Sequence, residues 1–247
     1  MDWHKRFVQQ SAWTNSLRNY LFQRSGLETA RRVLEVGCGT GAILDGLSTR
    51  AAIHGLDLEP GRLAEAHRHA PQARLIRGDA LSLPYANGVF EITFCHFLLL
   101  WVHEPLQALQ EMKRVTCPGG SVLALAEPDY NARVDKPAVL EPLGHWQTEA
   151  LQHQGADPGL GRRLAELFHQ AGLRIIETGT LQTDGQPAFT PEERELEWAV
   201  MEADLAGSVP AKEIQRLKRL DESACERGQR VLSVPTYFAW GQVWQMV

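Results

Sequence analysis

Gly37, Gly39 and Gly41 stand at alternate positions directly after the apolar run 33–36, and that run carries an acid, Glu35. Glycine has no Cβ, so such a loop can take positive φ and let a ligand lie against bare backbone. A helical pattern follows at about 41–50, and strand, glycine loop, helix is the opening unit of a nucleotide-binding α/β fold. The spacing is Gly-x-Gly-x-Gly, whereas the dinucleotide fingerprint is Gly-x-Gly-x-x-Gly. A pyrophosphate needs free N–H groups at a helix N-terminus, and a carboxylate at position 35 would repel it. Glu35 suits a ligand carrying positive charge. The plain alternative is a tight strand-to-helix turn without ligand.

Two further acids sit at spacings that extend this chemistry. Asp57 lies at the end of the second strand pattern, where an acid can accept both hydroxyls of a ribose. Asp79 follows the third, where a carboxylate can accept the exocyclic amine of adenine while the Ala80 N–H donates to a ring nitrogen. The alternative for Asp57 is a helix-start or solvated strand-end acid, and for Asp79 a loop acid capping a turn. Together they describe an adenosine attached to a cationic group without phosphate, which is S-adenosylmethionine (SAM). An NAD(P)-dependent oxidoreductase would share the loop and Asp57 but have no use for Glu35 or Asp79. A protein that binds SAM without transferring its methyl group is the other alternative.

With these residues assembled, the chain resembles the class I SAM-dependent methyltransferases, in particular the ubiquinone/menaquinone-biosynthesis-like small-molecule enzymes. Segments 33–41, 55–60, 78–84, 90–100 and 111–120 carry the resemblance, which covers residues 30–126 closely and 173–244 loosely. It implies a Rossmann-like, seven-stranded, mostly parallel α/β sheet whose last strand is antiparallel, with helices on both faces. By position it implies that Glu35, Gly37, Cys38, Gly39 and Gly41 surround the methionine part of SAM. Asp57 takes the ribose, Leu58 and Arg62 flank the adenosine, and Asp79, Ala80 and Leu81 hold adenine. Cys95 and His96 approach the sulfonium. Glu91 stands where the family usually has Asp and reads as structural. The fourth strand lacks the Asn/Asp-Pro-Pro-Tyr/Phe tetrad of base and glutamine amino-methylation, so a small-molecule acceptor is expected. Glu127 and Tyr130 are candidates for the acceptor wall, with Trp13, Phe97, Trp146 and Phe238 as apolar lining, although such aromatics are more often core residues. His96, Tyr130 and His145 are the candidate bases.

The elements that must position these residues are read from periodicity. Residues 1–28 form an amphipathic helical segment, expected to fold over the site as a lid. Strands are expected at 32–37, 52–57, 73–77, 89–100, 121–126, 173–180 and 231–244. Helices are expected at 41–50, 60–70 and from Pro105 onward, with helical embellishments of the 29–247 domain at 137–171 and 190–228. Residues 181–191 are the best linker candidate.

The whole-chain numbers narrow the function class. The 247 residues are 44% hydrophobic with net charge −5, which suits one soluble domain with embellishments, as a monomer or homodimer. No Lys/Arg run offers a nucleic-acid footprint. The longest apolar run, 97–102, is far short of a membrane span. Cys38, Cys95, Cys117 and Cys225 contain no Cys-x-x-Cys pair and read as thiols in a reducing, cytoplasmic setting. No metal-ligand cluster is evident.

Overall fold

The computed structural model describes residues 2–181 and 190–244. Two helices open the chain, α1 (Trp3–Trp13) and α2 (Asn15–Arg24), broken at Thr14. Asp2 caps α1 by accepting the Lys5 N–H at 3.1 Å. Then follow β1 (Arg32–Val36), β2 (Ala52–Asp57), α3 (Pro60–His69), β3 (Arg74–Arg77), β4 (Phe90–Cys95), α4 (Pro105–Val115) and β5 (Thr116–Pro128). The second half contains β6 (Val134–Lys136), α5 (Glu141–His153), α6 (Leu164–Gln170), β7 (Arg174–Leu181), α7 (Pro191–Asp204), α8 (Ala211–Glu226), β8 (Val231–Ser233) and β9 (Thr236–Gln242).

Seven strands form one sheet in the order β3-β2-β1-β4-β5-β9-β7. Five pair in parallel, and β9 runs antiparallel between β5 and β7. β1, β2 and β4 are near-continuous apolar runs because helices cover both faces. On one face Leu34, Val36 and Leu56 pack with Leu109 and Met112 of α4 and Phe168 of α6. On the other, Val33, Ile53 and Phe94 pack with Leu21 and Phe22 of α2. A third cluster lies away from the sheet, where Leu143 of α5, Trp198 and Met201 of α7 and Leu217 of α8 meet. Glu91 accepts the N–H groups of Arg31 and Arg32 and so fastens the start of β1.

Three expected elements differ. Residues 41–50 form a series of turns rather than a helix. Gly41 at its start and Gly46 in its middle each lower helical stability by about 1 kcal/mol, and Ser48-Thr49 follow too soon for a second turn to compensate. The strand expected over 89–100 ends at Cys95. Phe97 takes φ +50° and residues 99–101 make a 3-10 turn. The strand expected over 231–244 is split by Pro235: β8 pairs antiparallel with β6 in a separate two-stranded sheet and only β9 joins the main sheet. Most of the 181–191 linker candidate lies outside the described residues.

Candidate active site

A cavity of about 470 Å³ opens at the carboxyl ends of β1, β2 and β4, where ligands bind in open α/β sheets. Its floor is the loop after β1. Gly37 takes φ +74° and faces Leu98, whose side chain would stand 2.6 Å from any Cβ added there. Gly39 takes φ +53° under the ring of Phe7, 3.1 Å from where its Cβ would be. Side chains at either position would be strained and would collide with the cavity wall. Gly41 does not line the cavity. Its turn packs against Ala66 and Ala70, which would lie 3.3 Å from a Cβ added there.

Three carboxylates line the floor. Glu35 is 3% exposed, and its Oε2 is buried with no hydrogen-bond partner among the described residues. Burial pushes its carboxyl well above the usual range, partly offset by the nearby Arg18 charge and reinforced by Asp57. Asp57 accepts the Gly39 N–H on Oδ2 at 2.8 Å and the Glu59 N–H on Oδ1 at 2.9 Å, so it pins the glycine loop to the end of β2. Asp79 accepts the Leu81 N–H on Oδ1 at 2.9 Å. Leu81 therefore acts through its backbone and does not line the cavity, whereas Cys38, Leu58, Arg62 and Ala80 do. Cys95 is fully buried in the core beneath the loop, and burial raises its thiol.

The far wall comes from the loop after β4, the 3-10 turn at 130–132, α1, α5 and α7. His96, Phe97 and Tyr130 face the cavity. The His96 ring shares a 2.9 Å hydrogen bond with the Thr14 hydroxyl. Burial, with a smaller push from Arg18, lowers its pKa to about 3. Burial raises the Tyr130 hydroxyl. The other acceptor-wall candidates lie elsewhere. Glu127 is wholly buried and accepts the N–H groups of Leu98, Leu99 and Leu100 at 3.0–3.2 Å. It holds the loop rather than lining the cavity, and burial lifts its pKa to about 7. Trp13 lies at the end of α1 with Arg6 over its ring at 5.0 Å. Trp146 packs into the helical cluster, Phe238 is covered by the sheet beside Gly179, and His145 is exposed on α5 outside the cavity.

Several lining residues escaped sequence reading: Trp3, Arg6, Phe7 and Gln10 of α1, Trp101 after β4, Gln147 and Gln154 of α5, and Val200 and Asp204 of α7. α1 reaches the site by long-range contacts. His4 bonds to the Thr40 hydroxyl at 2.9 Å and stacks on His69 at 3.4 Å. Arg6 pairs with Glu197 of α7. The amphipathic pattern of 1–28 was visible, but no local signal says which element its faces meet.

The fit to SAM is testable on these atoms. An orphaned buried carboxylate oxygen at Glu35 calls for a cationic partner, and Asp57 and Asp79 each keep accepting capacity beside a glycine floor open to close approach. A phosphate at that floor would face the carboxylates of Glu35, Asp57 and Asp79. These features fit SAM.

The comparisons agree. Residues 34–124 match the family model described as "Methyltransferase domain". The chain is 32% identical over 192 residues to the demethylmenaquinone methyltransferase of Bacillus licheniformis, covering 69% of this chain and 81% of that one. It is 33% identical over 158 residues to the malonyl-[acyl-carrier protein] O-methyltransferase of Halorhodospira halophila, a match spanning 60% of this chain and about half, 48%, of that protein. The fold is shared with phosphoethanolamine N-methyltransferase 2 of Haemonchus contortus, solved with S-adenosylhomocysteine, at TM-score 0.60 and 18% identity over 96% of this chain and 57% of that one. The chain belongs to the class I SAM-dependent methyltransferases. That membership leaves the nicotinamide alternative without support. No helix among the described residues is long and apolar enough to cross a membrane.

Proposed function

We propose that this chain transfers a methyl group from SAM to a small molecule held against the wall formed by the loop after β4, α5 and α7. The observation that carries this reading is the unpartnered Glu35 carboxylate beside Asp57 and Asp79 in one cavity. SAM supplies a methyl group on positively charged sulfur, already activated for displacement. Glu35 and the Gly37–Gly39 backbone hold the methionine portion, Asp57 the ribose, and Asp79 with Ala80 the adenine. Leu58 and Arg62 flank the adenosine. Gly41, Leu81 and Cys95 support these positions through the turn, the backbone and the core.

The chain's remaining task is alignment and exclusion of water, and alignment can supply on the order of 7–11 kcal/mol. α1 serves as the lid: Trp3, Arg6 and Phe7 cover the floor while His4, Arg6 and Thr14 anchor the helix to Thr40, Glu197 and His96. His96 stays neutral and orients through Thr14. A ring of pKa about 3 is a weak base at neutral pH. Tyr130 borders the acceptor, and its raised hydroxyl remains protonated and available as a donor.

Calorimetric titration tests the donor. SAM and S-adenosylhomocysteine should bind, NAD should not, and Glu35→Gln should weaken SAM. Equal binding of NAD would overturn the reading. Isotope transfer from methyl-labelled SAM into a panel of small acceptors tests the reaction itself.

A further inference from the structure

The geometry points to an acceptor that presents a cationic or neutral N–H or O–H donor to Asp204, within an aromatic wall that disfavours anionic acceptors. This proposal rests on the methyl-transfer reading of the cavity and names the class of molecule it takes.

Asp204 ends α7 and lines the cavity, and its charge acts on the Tyr130 hydroxyl in the same lining. Both carboxylate oxygens are held: Oδ2 accepts from Gln147 Nε2 at 2.9 Å and Oδ1 from Gln154 Nε2 at 3.1 Å, both from α5. The orientation of Gln147 is itself fixed. Its Oε1 accepts from the Arg133 guanidinium, so its NH₂ must face Asp204. Arg133 is in turn locked by the buried Asp135, at 2.6 Å and 3.0 Å. A chain of side chains, Asp135 to Arg133 to Gln147 to Asp204, therefore presents one carboxylate to the cavity in a set direction.

A carboxylate has about four lone-pair sites, and two amides use only two of them. No cation pairs with Asp204 among the described ion pairs. Of the arginines that line the cavity, Arg6 is 5% exposed and spent on Glu197 and Gln9, and Arg62 stands 5.7 Å over the Phe7 ring. The rest of that wall is largely apolar or aromatic, with Trp3, Phe97, Trp101, Leu151 and Val200 beside Gln10, His96 and Tyr130. A fixed, unneutralised carboxylate among aromatic faces attracts cations through both charge and ring quadrupoles. The same carboxylate repels an acceptor that carries one of its own. The Asp204 carboxylate has nothing to offer an acceptor without a donor.

Three indole probes of similar size separate these outcomes: tryptamine, 3-(2-hydroxyethyl)indole and indole-3-acetate. Each is titrated calorimetrically into the full chain saturated with S-adenosylhomocysteine. Tryptamine should bind most tightly, the alcohol next, and the acetate at least about tenfold more weakly than tryptamine, the size of one charge-assisted contact. Asp204→Asn should collapse the difference between tryptamine and the acetate to less than about threefold, with S-adenosylhomocysteine affinity and the unfolding midpoint unchanged. Asp204→Ser serves as the second variant if the asparagine clashes with the amides. The proposal is overturned if the acetate binds as well as tryptamine, if no probe binds, or if both variants keep the wild-type order. Failure of S-adenosylhomocysteine to bind would sink the donor reading instead, and the same titration reads it separately.

Discussion

At the residue scale the site trades stability for binding. Glu35 is a buried acid without a hydrogen-bond partner on Oε2, a costly arrangement in a free protein. Its raised pKa means the stability linked to its proton is fully present below about 4.5 and is lost as pH rises through the folded value. Glu35→Gln should therefore leave the thermal midpoint unchanged or higher at pH 8, while SAM affinity falls by about tenfold or more, read by calorimetry. His96 is a different case. Its pKa of about 3 keeps the ring neutral through the working range. His96→Ala should lower kcat by less than about tenfold and leave the pH–rate profile between 5 and 8 unchanged in shape, since a general base would account for about a hundredfold or more. A larger loss, or a limb that vanishes with the ring, would make His96 the base. Both residues were legible as positions at strand ends. Their protonation states were not, because those depend on which atoms surround them.

At the element scale two segments do work that their local patterns do not announce. The loop after β4 lines the cavity with Leu98, Leu100, Trp101 and Val102. Its shape depends on Glu127, whose carboxylate gathers three consecutive N–H groups from another strand's end. Glu127→Gln keeps the size but loses accepting capacity on one side. Glu127 has a folded pKa of about 7, so its proton-linked stability is present below about 4.5 and lost as pH rises through 7. The destabilisation caused by Glu127→Gln should thus be larger at pH 5 than at pH 8 in denaturant titrations. The second segment is α1. Its contacts are few and peripheral to the sheet, so removing residues 2–14 should leave a cooperatively folding core by circular dichroism. Turnover should fall on the order of a hundredfold through lost alignment. Undiminished turnover would show that α1 packs without covering the reaction.

At the scale of the whole molecule, two layers of different character meet at the cavity. The sheet and its flanking helices form the floor of the cavity, while α5, α7 and α8 with the two-stranded β6–β8 sheet pack as a separate unit. Buried pairs tie that unit together: Arg133 and Arg230 to Asp135, and Arg230 to Asp221. A ligand bound at the floor and closed over by α1 stabilises only the folded chain. Saturation with SAM at 100 times its Kd should add about 2.7 kcal/mol and raise the midpoint by about 5–11 °C in differential scanning fluorimetry. A midpoint that does not move would contradict binding to the folded state.

The amino-acid sequence determined the donor half. Glycine spacing, the acid inside β1 and the acids at 57 and 79 are local, and the parallel strands around them are short apolar runs whose identity survives without tertiary context. The same local logic failed at 41–50, where Gly46 outweighed the apolar spacing, and at 89–100, where a distant carboxylate ended the strand. Only the tertiary structure decided the acceptor half. Asp204, Gln147, Gln154, Trp3 and Trp101 come from segments far apart in the chain, and nothing in their own spacing says that they share a wall. Glu127 looked like part of that wall and became its support. A side chain's role there depends on partners that only the packed fold supplies.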